Sequence, residues 1–493
     1  MKRLVFAVLV AAAFVACHAP LHADPADAVV KISAFIRFPE PTRPWSKVQP
    51  VASSGSGIYI GGNRILTNSH VVLYASELYV QWGPAGEKVE AKIQALSRDL
   101  DLAVLTVADD KFFEKHKPLQ RAAKLPKVKD GVTVFGFPVG GAEMSITKGE
   151  ISRINSRQYG NQGYGLEIQV SAPINPGNSG GPAVSGDQMI GVVYSRLVNA
   201  QNIGYIIPNE EVEYFLNNIQ AGKFKGKPRE NTLTVYQPLE NDTMRRMLKL
   251  DRSVQGVAVI RPTPGFPLKE FDIITKIGNH TIDNLGNIQI ANGMRVYFLY
   301  AVPQLAKDKS VPVTIVRNGK SMEATMPVNY DDPYVIKGYN GDPLSYFVHG
   351  PMVFVPAKLD DMSIFARLNP RLEGDNSPLF LRRQDHARFA GEELVVVSHQ
   401  FRHKITNGYL EPAAKTVKSV NGASIRSLRH LVETLRDSKG EFLKLEFVDD
   451  WSDIMVFDRT ELENATEQIL EDNGIAATRR GSPDLMEVWR KRK

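Results

Sequence analysis

Between Ala28 and Ile219 apolar residues arrive in short runs, rich in Val and Ile and cut every few positions by Gly, Asn, Pro or Asp. The runs include "SGIYIGGNRILTNSHVVL", "LYVQW", "DLAVLTVA", "VTVFGFPV", "GEISRI", "LEIQVSA" and "MIGVVYS". β-Branched side chains suit a pleated surface, and the frequent turn residues hold each run to strand length. The pattern predicts an all-β barrel or sandwich. The period then changes in "PNEEVEYFLNNIQAGKFKGK", where Val212, Phe215, Leu216 and Ile219 share a helical face behind Asn209, a candidate N-cap. A helix closing the domain is expected there.

A second composition begins near Arg229, with "GVAVIRPTPGFPLKEFDIITKIGNHTIDN" and "VPVTIVRNGKSMEATMPV" predicting strands around turns and a helix near Gln304 to Lys307. From about Tyr334 the same grammar returns in "ELVVVSHQF", "KTVKSVNGASIRSLRHLVETLRDS" and "FLKLEFVDD", where Leu428, Leu431, Val432 and Leu435 follow Ser427 at helical spacing. The likeness of "IITKIGNHTIDNLGNI" to "KTVKSVNGASIRSLRHL" points to a duplicated domain. The expected organisation is a leader over 1–23, a β domain over 28–224, related domains over 229–330 and 334–460, and a charged C-terminal tail over 461–493 with a short helix near Glu461 to Glu471.

A chain of 493 residues exceeds one ordinary core, in line with that division, and 43% hydrophobic with 23% charged residues is globular composition. Formal net charge is +6, and loss of Lys2 and Arg3 with the leader lowers it by two, too little over this length to argue for nucleic acid. The terminal "WRKRK" reads as a solvated tail. At the other end, Lys2 and Arg3 precede an apolar stretch, Leu4 to Val15, too short to span a bilayer, with a small-residue cut after Ala23 in "PLHAD". The sole cysteine, Cys17, lies upstream of that cut, so the mature chain would hold no disulfide. The expectation is a soluble exported protein of the periplasm. The alternative is a lipid anchor on Cys17 in "FVAC", the one route to membrane association.

Three stretches carry candidate chemistry. "ILTNSHVVLY" sets His70 in an apolar run, either as a general base or as a core histidine, and the stretch alone does not choose. Downstream, "INPGNSGGPAV" sets Ser179 between Gly177-Asn178 and Gly180-Gly181. A nucleophilic serine needs backbone that turns sharply beside it, so that neighbouring N–H groups point at one developing oxyanion. The N–H groups of Gly177 and Ser179 are the natural donors, with Asn178 between them. The third member is an acid: in "SRDLDLAVLTV", Asp101 directly precedes an apolar strand and can accept from the histidine ring, whereas Asp99 reads as a turn residue and Asp109 and Asp110 as solvated.

The order His, Asp, Ser resembles that of the trypsin-like peptidases and, within them, the HtrA/Deg family. The resemblance rests on "SGSGIYI", "ILTNSHVV", "DLDLAVLTV", "GFPVGG", "ITKGEISRI", "INPGNSGGPAV" and "NIGYIIP", and it extends to two PDZ-like domains, the second diverged, as in plant-type Deg proteases. It implies a mainly β fold, with two six-stranded barrels and a site between them, followed by two PDZ-like α+β domains. His70 would be the base, Asp101 its orienter and Ser179 the nucleophile, over an oxyanion hole at Gly177, Asn178 and Ser179, with no metal or cofactor. Ile203, Gly204 and Tyr205 would line a pocket suited to small aliphatic side chains, and Ile154 to Gly165 would be a loop. Ser69 stands where the family usually has Ala, which adds a hydroxyl beside the histidine. At the place of the PDZ carboxylate nest, "TLTV" (Thr232 to Val235) has no glycine, while "YFVHGPMVFV" in the second has Gly350. The implied partners are unfolded proteins, peptides at the PDZ domains, and further copies of the chain in a homotrimer or larger assembly. A protease-fold chaperone resting inactive is the reading from a different class.

Overall fold

The computed structural model describes residues 24–46, 48–160, 163–194, 203–230, 234–262, 266–290 and 293–491. Expectations about the leader and Cys17, and those resting on Asn161, Gln162, Asn202, Thr232 and Leu233, lie outside these residues.

Alternation decides the first barrel. β1 (Val29–Ile36) buries Val30, Ile32, Ala34 and Ile36 on one face. It pairs antiparallel with β2 (Val51–Tyr59), and the closed order continues through β3 (Arg64–Thr67), β6 (Leu102–Val107) and β5 (Val89–Ser97) to β4 (Ala75–Gln81). The second closed barrel is formed by β7 (Gly131–Gly136), β8 (Ser145–Gln158), β9 (Tyr164–Val170), β10 (Pro182–Ser185), β11 (Gln188–Tyr194) and β12 (Gly204–Pro208). It encloses Val134, Ile151, Ile168, Val170, Ile190 and Ile206. The barrels share apolar contacts, with Phe135, Phe137 and Val192 of the second packed into the cluster of Ile58, Leu66 and Val71 of the first. The expected double barrel is therefore present.

Between β3 and β4 runs a one-turn helix, α1 (Ser69–Val72), and after β12 comes α2 (Asn209–Asn217). Asn209 is not the N-cap of α2. Pro208 holds that position, and the buried Asn209 amide instead donates to Met189 O (2.6 Å) and Ala122 O (3.0 Å). Two main-chain carbonyls from another segment outcompete the cap.

The sheet of the next domain joins 229–230, 320–329, 310–317, 273–277, 257–261 and 235–238. The helix expected near Gln304 spans Val302–Leu305, two residues earlier, because Ala306 is already extended, and a further helix spans Asp242–Met247. The last domain carries strands 347–349, 352–356 and 395–400 in one sheet and 417–420, 423–424, 442–447 and 455–458 in another. The two stretches whose sequences are alike both fold into tight hairpins, Ile277 opposite His280 and Val420 opposite Ala423. Only the second copy continues into a long helix, Leu428–Asp437, capped by the Ser427 hydroxyl, which accepts from His430 N at 3.2 Å.

Residues 461–490, expected as a tail, are part of this last core. Helix Arg459–Asp472 buries Leu462, Ala465, Ile469 and Leu470, and helix Pro483–Arg490 buries Leu485, Met486 and Val488. Charged residues occupy only the outer faces of these helices, which hid their apolar stripes behind an overall polar composition. Trp489 of "WRKRK" is likewise packed, its ring 5.2 Å from Phe347 and 4.4 Å from the Arg480 guanidinium.

Candidate active site

His70 sits on α1, which starts immediately after the buried strand β3. Asp101 ends the four-residue turn between β5 and β6, in the left-handed conformation at φ +55°. Asp tolerates this region better than most residues, and the turn is tied down on both sides. Asp101 N donates to Arg98 O at 3.1 Å, and Asn68 Nδ2 donates to Asp101 O at 2.9 Å. The carboxylate then faces His70: Nδ1 lies 2.7 Å from Oδ2 and 3.0 Å from Oδ1. Oδ1 also accepts from His70 N (3.0 Å) and from the Ser69 hydroxyl (3.0 Å). The hydroxyl that departs from the family pattern is thus bonded to the carboxylate.

Burial by itself would push the imidazolium of His70 to lower pKa, but the hydrogen bond and negative charge of Asp101 outweigh it and hold the ring above its ordinary value. With its side chain 48% exposed, the ring keeps an edge toward solvent.

Ser179 comes from the second barrel, in the turns between β9 and β10, and is buried. Its carbonyl accepts from Ser56 N at 2.9 Å, which binds the loop to β2 of the first barrel. A Cβ at Gly55 would stand 2.8 Å from Val71, the residue after His70, and 3.1 Å from Ser179 O. Next to the serine, Gly180 at φ +85° lies so close to Ser56 O and Thr67 Oγ1 that no side chain fits, and a Cβ there would stand 3.2 Å from Asn68 N. The serine loop and the histidine helix therefore meet across Gly55 and Gly180, with Asp101 behind the histidine.

Gly177 adopts φ +100°, also a conformation for glycine alone, and packs against the main chain of Phe137 and Val139. Asn178 N donates to Asn175 O at 3.0 Å, which spends that N–H within the loop. Asn178 contributes its bend, leaving the N–H groups of Gly177 and Ser179 as the candidates for an oxyanion. Ser56 supports the loop from below: its hydroxyl donates to Gly177 O (2.8 Å) and accepts from Phe137 N (2.8 Å). Nothing local in "SGSG" marks Ser56 for this part, because its two partners are remote in the chain.

Of the pocket residues, Ile203 is exposed, Gly204 presses on Ile174 with no room for a Cβ, and the Tyr205 ring lies 6.1 Å from that of Tyr194. Tyr194 donates to Glu167, and Arg157 pairs with Glu167 at 3.0 Å while its guanidinium lies 5.0 Å from the Tyr194 ring. This buried group was not anticipated. Its members come from β8, β9 and β11 and are assembled by strand register, which leaves no local signal. The Glu167 charge is neutralised by Arg157, so it offers no free carboxylate to a cationic side chain. Asp99 lies in the turn as expected, against Gly160, and Asp109 accepts from Lys111 N at 3.0 Å.

Residues 55–192 match the trypsin-like peptidase domain family and residues 336–484 the PDZ domain family. The second match includes most of the segment that the sequence had suggested as a tail. Protease Do-like 2, chloroplastic, of Arabidopsis thaliana is 33% identical over 481 residues, covering 94% of this chain and 76% of that protein. Protease Do-like 4, mitochondrial, of the same plant is 32% identical over 453 residues, covering 90% and 83%. Among solved structures, an HtrA-type protease, AlgW with decapeptide, is 22% identical with a TM-score of 0.48, covering 63% of this chain and 97% of that one. With a trypsin-like peptidase domain, a PDZ domain and relatives of this identity along nearly its whole length, the chain belongs to the Do-like (HtrA/Deg) serine endopeptidases.

Proposed function

We propose that the protein is an exported, ATP-independent endopeptidase that degrades unfolded or damaged proteins of the cell envelope. The observation that carries the chemistry is the 2.7 Å contact of His70 Nδ1 with Asp101, on a helix that meets the Ser179 loop. Asp101 accepts the Nδ1 proton and so leaves Nε2 as the basic nitrogen. Nε2 takes the Ser179 proton as the serine oxygen attacks the scissile carbonyl, and returns it to the leaving amine. Water then hydrolyses the acyl-enzyme by the same proton route in reverse. Base catalysis of this kind contributes about 10²- to 10⁴-fold. The Gly177 and Ser179 N–H groups receive the oxyanion, each worth about 3 kcal/mol.

Ile203, Gly204 and Tyr205 form the wall of the specificity pocket. The closed approach of Gly204 to Ile174 and the neutralised Glu167 favour small aliphatic side chains before the cut and disfavour Lys or Arg. The barrels associate as a homotrimer or larger assembly, and the PDZ-like domains present peptides or join copies of the chain. Export is supported by the leader-like composition of the first 23 residues. Among the described residues no helix is long and apolar enough to cross a bilayer. Mass spectrometry of the mature N-terminus separates a free Asp24 from a lipidated Cys17.

Digestion of reduced casein by residues 24–493, beside Ser179→Ala, tests the reading. Cleavage by the parent alone establishes the nucleophile, and the new peptide ends report the pocket. Cleavage by Ser179→Ala refutes the assignment. If neither cleaves nor reacts with a fluorophosphonate, the chaperone reading takes its place.

A further inference from the structure

Arg98 opens the turn that Asp101 closes, and its guanidinium leaves the barrel altogether. Nη1 donates to Tyr339 O at 2.9 Å, and Nη2 pairs with the Asp360 carboxylate, both in the last domain. The receiving edge is itself braced: Asp360 accepts from Tyr339 N at 2.8 Å, Leu359 N donates to Lys337 O at 3.0 Å, and the Tyr339 hydroxyl donates to Asp361 at 2.6 Å. The same edge reaches the histidine side. A Cβ at Gly341 would stand 3.4 Å from Leu73, the residue after α1, and 3.6 Å from Leu96 on β5. One edge of the last domain therefore bears on both chain segments that carry His70 and Asp101.

We propose that the last, PDZ-like domain positions the His70–Asp101 pair, with Arg98 and Asp360 as the positioning residues. The inference rests on reading that pair as the general-base unit. Physically, Asp101 occupies a left-handed conformation that persists only while its surroundings hold it. Asn68 secures it from inside the barrel, and Arg98, clamped between Tyr339 O and Asp360, secures the start of the same turn from outside. A fork-shaped guanidinium bonded at two places fixes the turn's orientation, which a single flexible cation would not. Displacement of the last domain, by assembly or by a bound peptide, would then reach the active site through the aspartate.

The test reads the histidine itself. Hydrogen exchange at the imidazole C2 position, followed by mass spectrometry of the His70 peptide across pH, gives the ring's titration midpoint in the full chain. Carrying the Ser179→Ala background keeps the protein intact and makes the readout independent of turnover. Asp101 is the ionisable group acting on the ring; Arg98 and Asp360 stand behind the turn, and Asp99 faces Gly160. Arg98→Met removes a nearby cation, which through charge alone would raise the midpoint. Positioning predicts the opposite: a looser Asp101 contact lowers it, by about half a pH unit or roughly threefold in the protonation ratio. Asp360→Asn, made on the other domain, also lowers the midpoint, and Arg98→Lys, able to reach only one acceptor, falls between Arg98→Met and the parent. With Ser179 restored, kcat for casein falls about three- to tenfold at unchanged KM, the signature of a residue acting on the chemical step. A midpoint that stays or rises in Arg98→Met overturns the proposal whatever Asp360→Asn does, because loss of the Asp360 anion lowers the midpoint through charge alone; a loss of activity without a His70 shift overturns it too. Failure of the endopeptidase reading would show elsewhere, as casein cleavage by Ser179→Ala, while leaving the titration interpretable. If Arg98→Met does not fold, Arg98→Lys decides: it keeps the cation, so a lowered midpoint reports a looser Asp101 contact and an unchanged one overturns the proposal.

Discussion

Ser69→Ala isolates one hydrogen bond at the centre of the site. The Ser69 hydroxyl is buried and donates to Asp101 Oδ1 at 3.0 Å, beside the main-chain N–H of His70 at the same distance. A hydrogen bond to a charged acceptor is worth about 1.5–3 kcal/mol, and alanine recovers about 0.5 kcal/mol as a better helix residue. The net loss is then about 1–2.5 kcal/mol, or about 2–10 °C in the melting of the protease domain. The effect on catalysis has the opposite character. Without the hydroxyl, the carboxylate retains the His70 N–H and concentrates its charge on the ring, which stabilises the imidazolium. His70 already titrates above its ordinary value, because Asp101 outweighs the opposing effect of burial. The acid limb of the pH profile therefore moves further up by a few tenths of a unit, while the rate on the plateau near pH 8 stays within a factor of about three. Fluorophosphonate labelling followed from pH 5 to 9, with melting curves at each end, measures both quantities. An acid limb that moves down, or a plateau rate reduced a hundredfold, would refute the reasoning, because the remaining donors would then not hold Asp101 in place.

Two further outcomes are expected. Gly180→Ala forces a Cβ into Ser56 O and Thr67 Oγ1 at φ +85°, whereas Gly186→Ala, at φ +61°, meets nothing within 4 Å. The second should cost about 1 kcal/mol and the first about 3 kcal/mol or more with loss of labelling, and equal melting temperatures for the two would contradict the packing described. Asp361 is buried, and burial first, then the charge of Asp360, raises its carboxyl to about 6 despite the opposing hydrogen bond from Tyr339. A carboxyl raised in the folded state stabilises fully below its unfolded value and loses that contribution as pH climbs to the folded one. Asp361→Asn should therefore stabilise the protein at pH 7.5 by about 1–3 kcal/mol and by little at pH 4, and a difference independent of pH would exclude this account.

The strands of both barrels were legible because each buries alternate residues, a property written into a few neighbours, as in Val30, Ile32, Ala34 and Ile36. The candidate residues were legible for a related reason. The glycines around Ser179 are needed where main chains approach too closely for any side chain, and such a need leaves its mark on the residue type. The assignment of the C-terminal residues was less local. A helix with a charged outer face and a narrow apolar stripe reads as solvated until a partner covers the stripe, and Leu462 and Leu485 are covered by a cluster drawn from strands and a helix spread between Phe347 and Phe457. Asn209 reads as a cap by type and position, yet two carbonyls brought by the second barrel claim its amide. Strands, turns and the positions of the candidate triad follow from neighbouring residues, because they depend on side-chain period and on steric demands of the local backbone. Their surroundings emerge on folding: the Ser69 hydroxyl on Asp101, Ser56 beneath Gly177, the Arg157–Glu167–Tyr194 group and the grip of Tyr339 and Asp360 on Arg98. These contacts join residues from separate strands and domains, and their geometry follows from barrel closure and domain packing, which no stretch of neighbouring residues encodes.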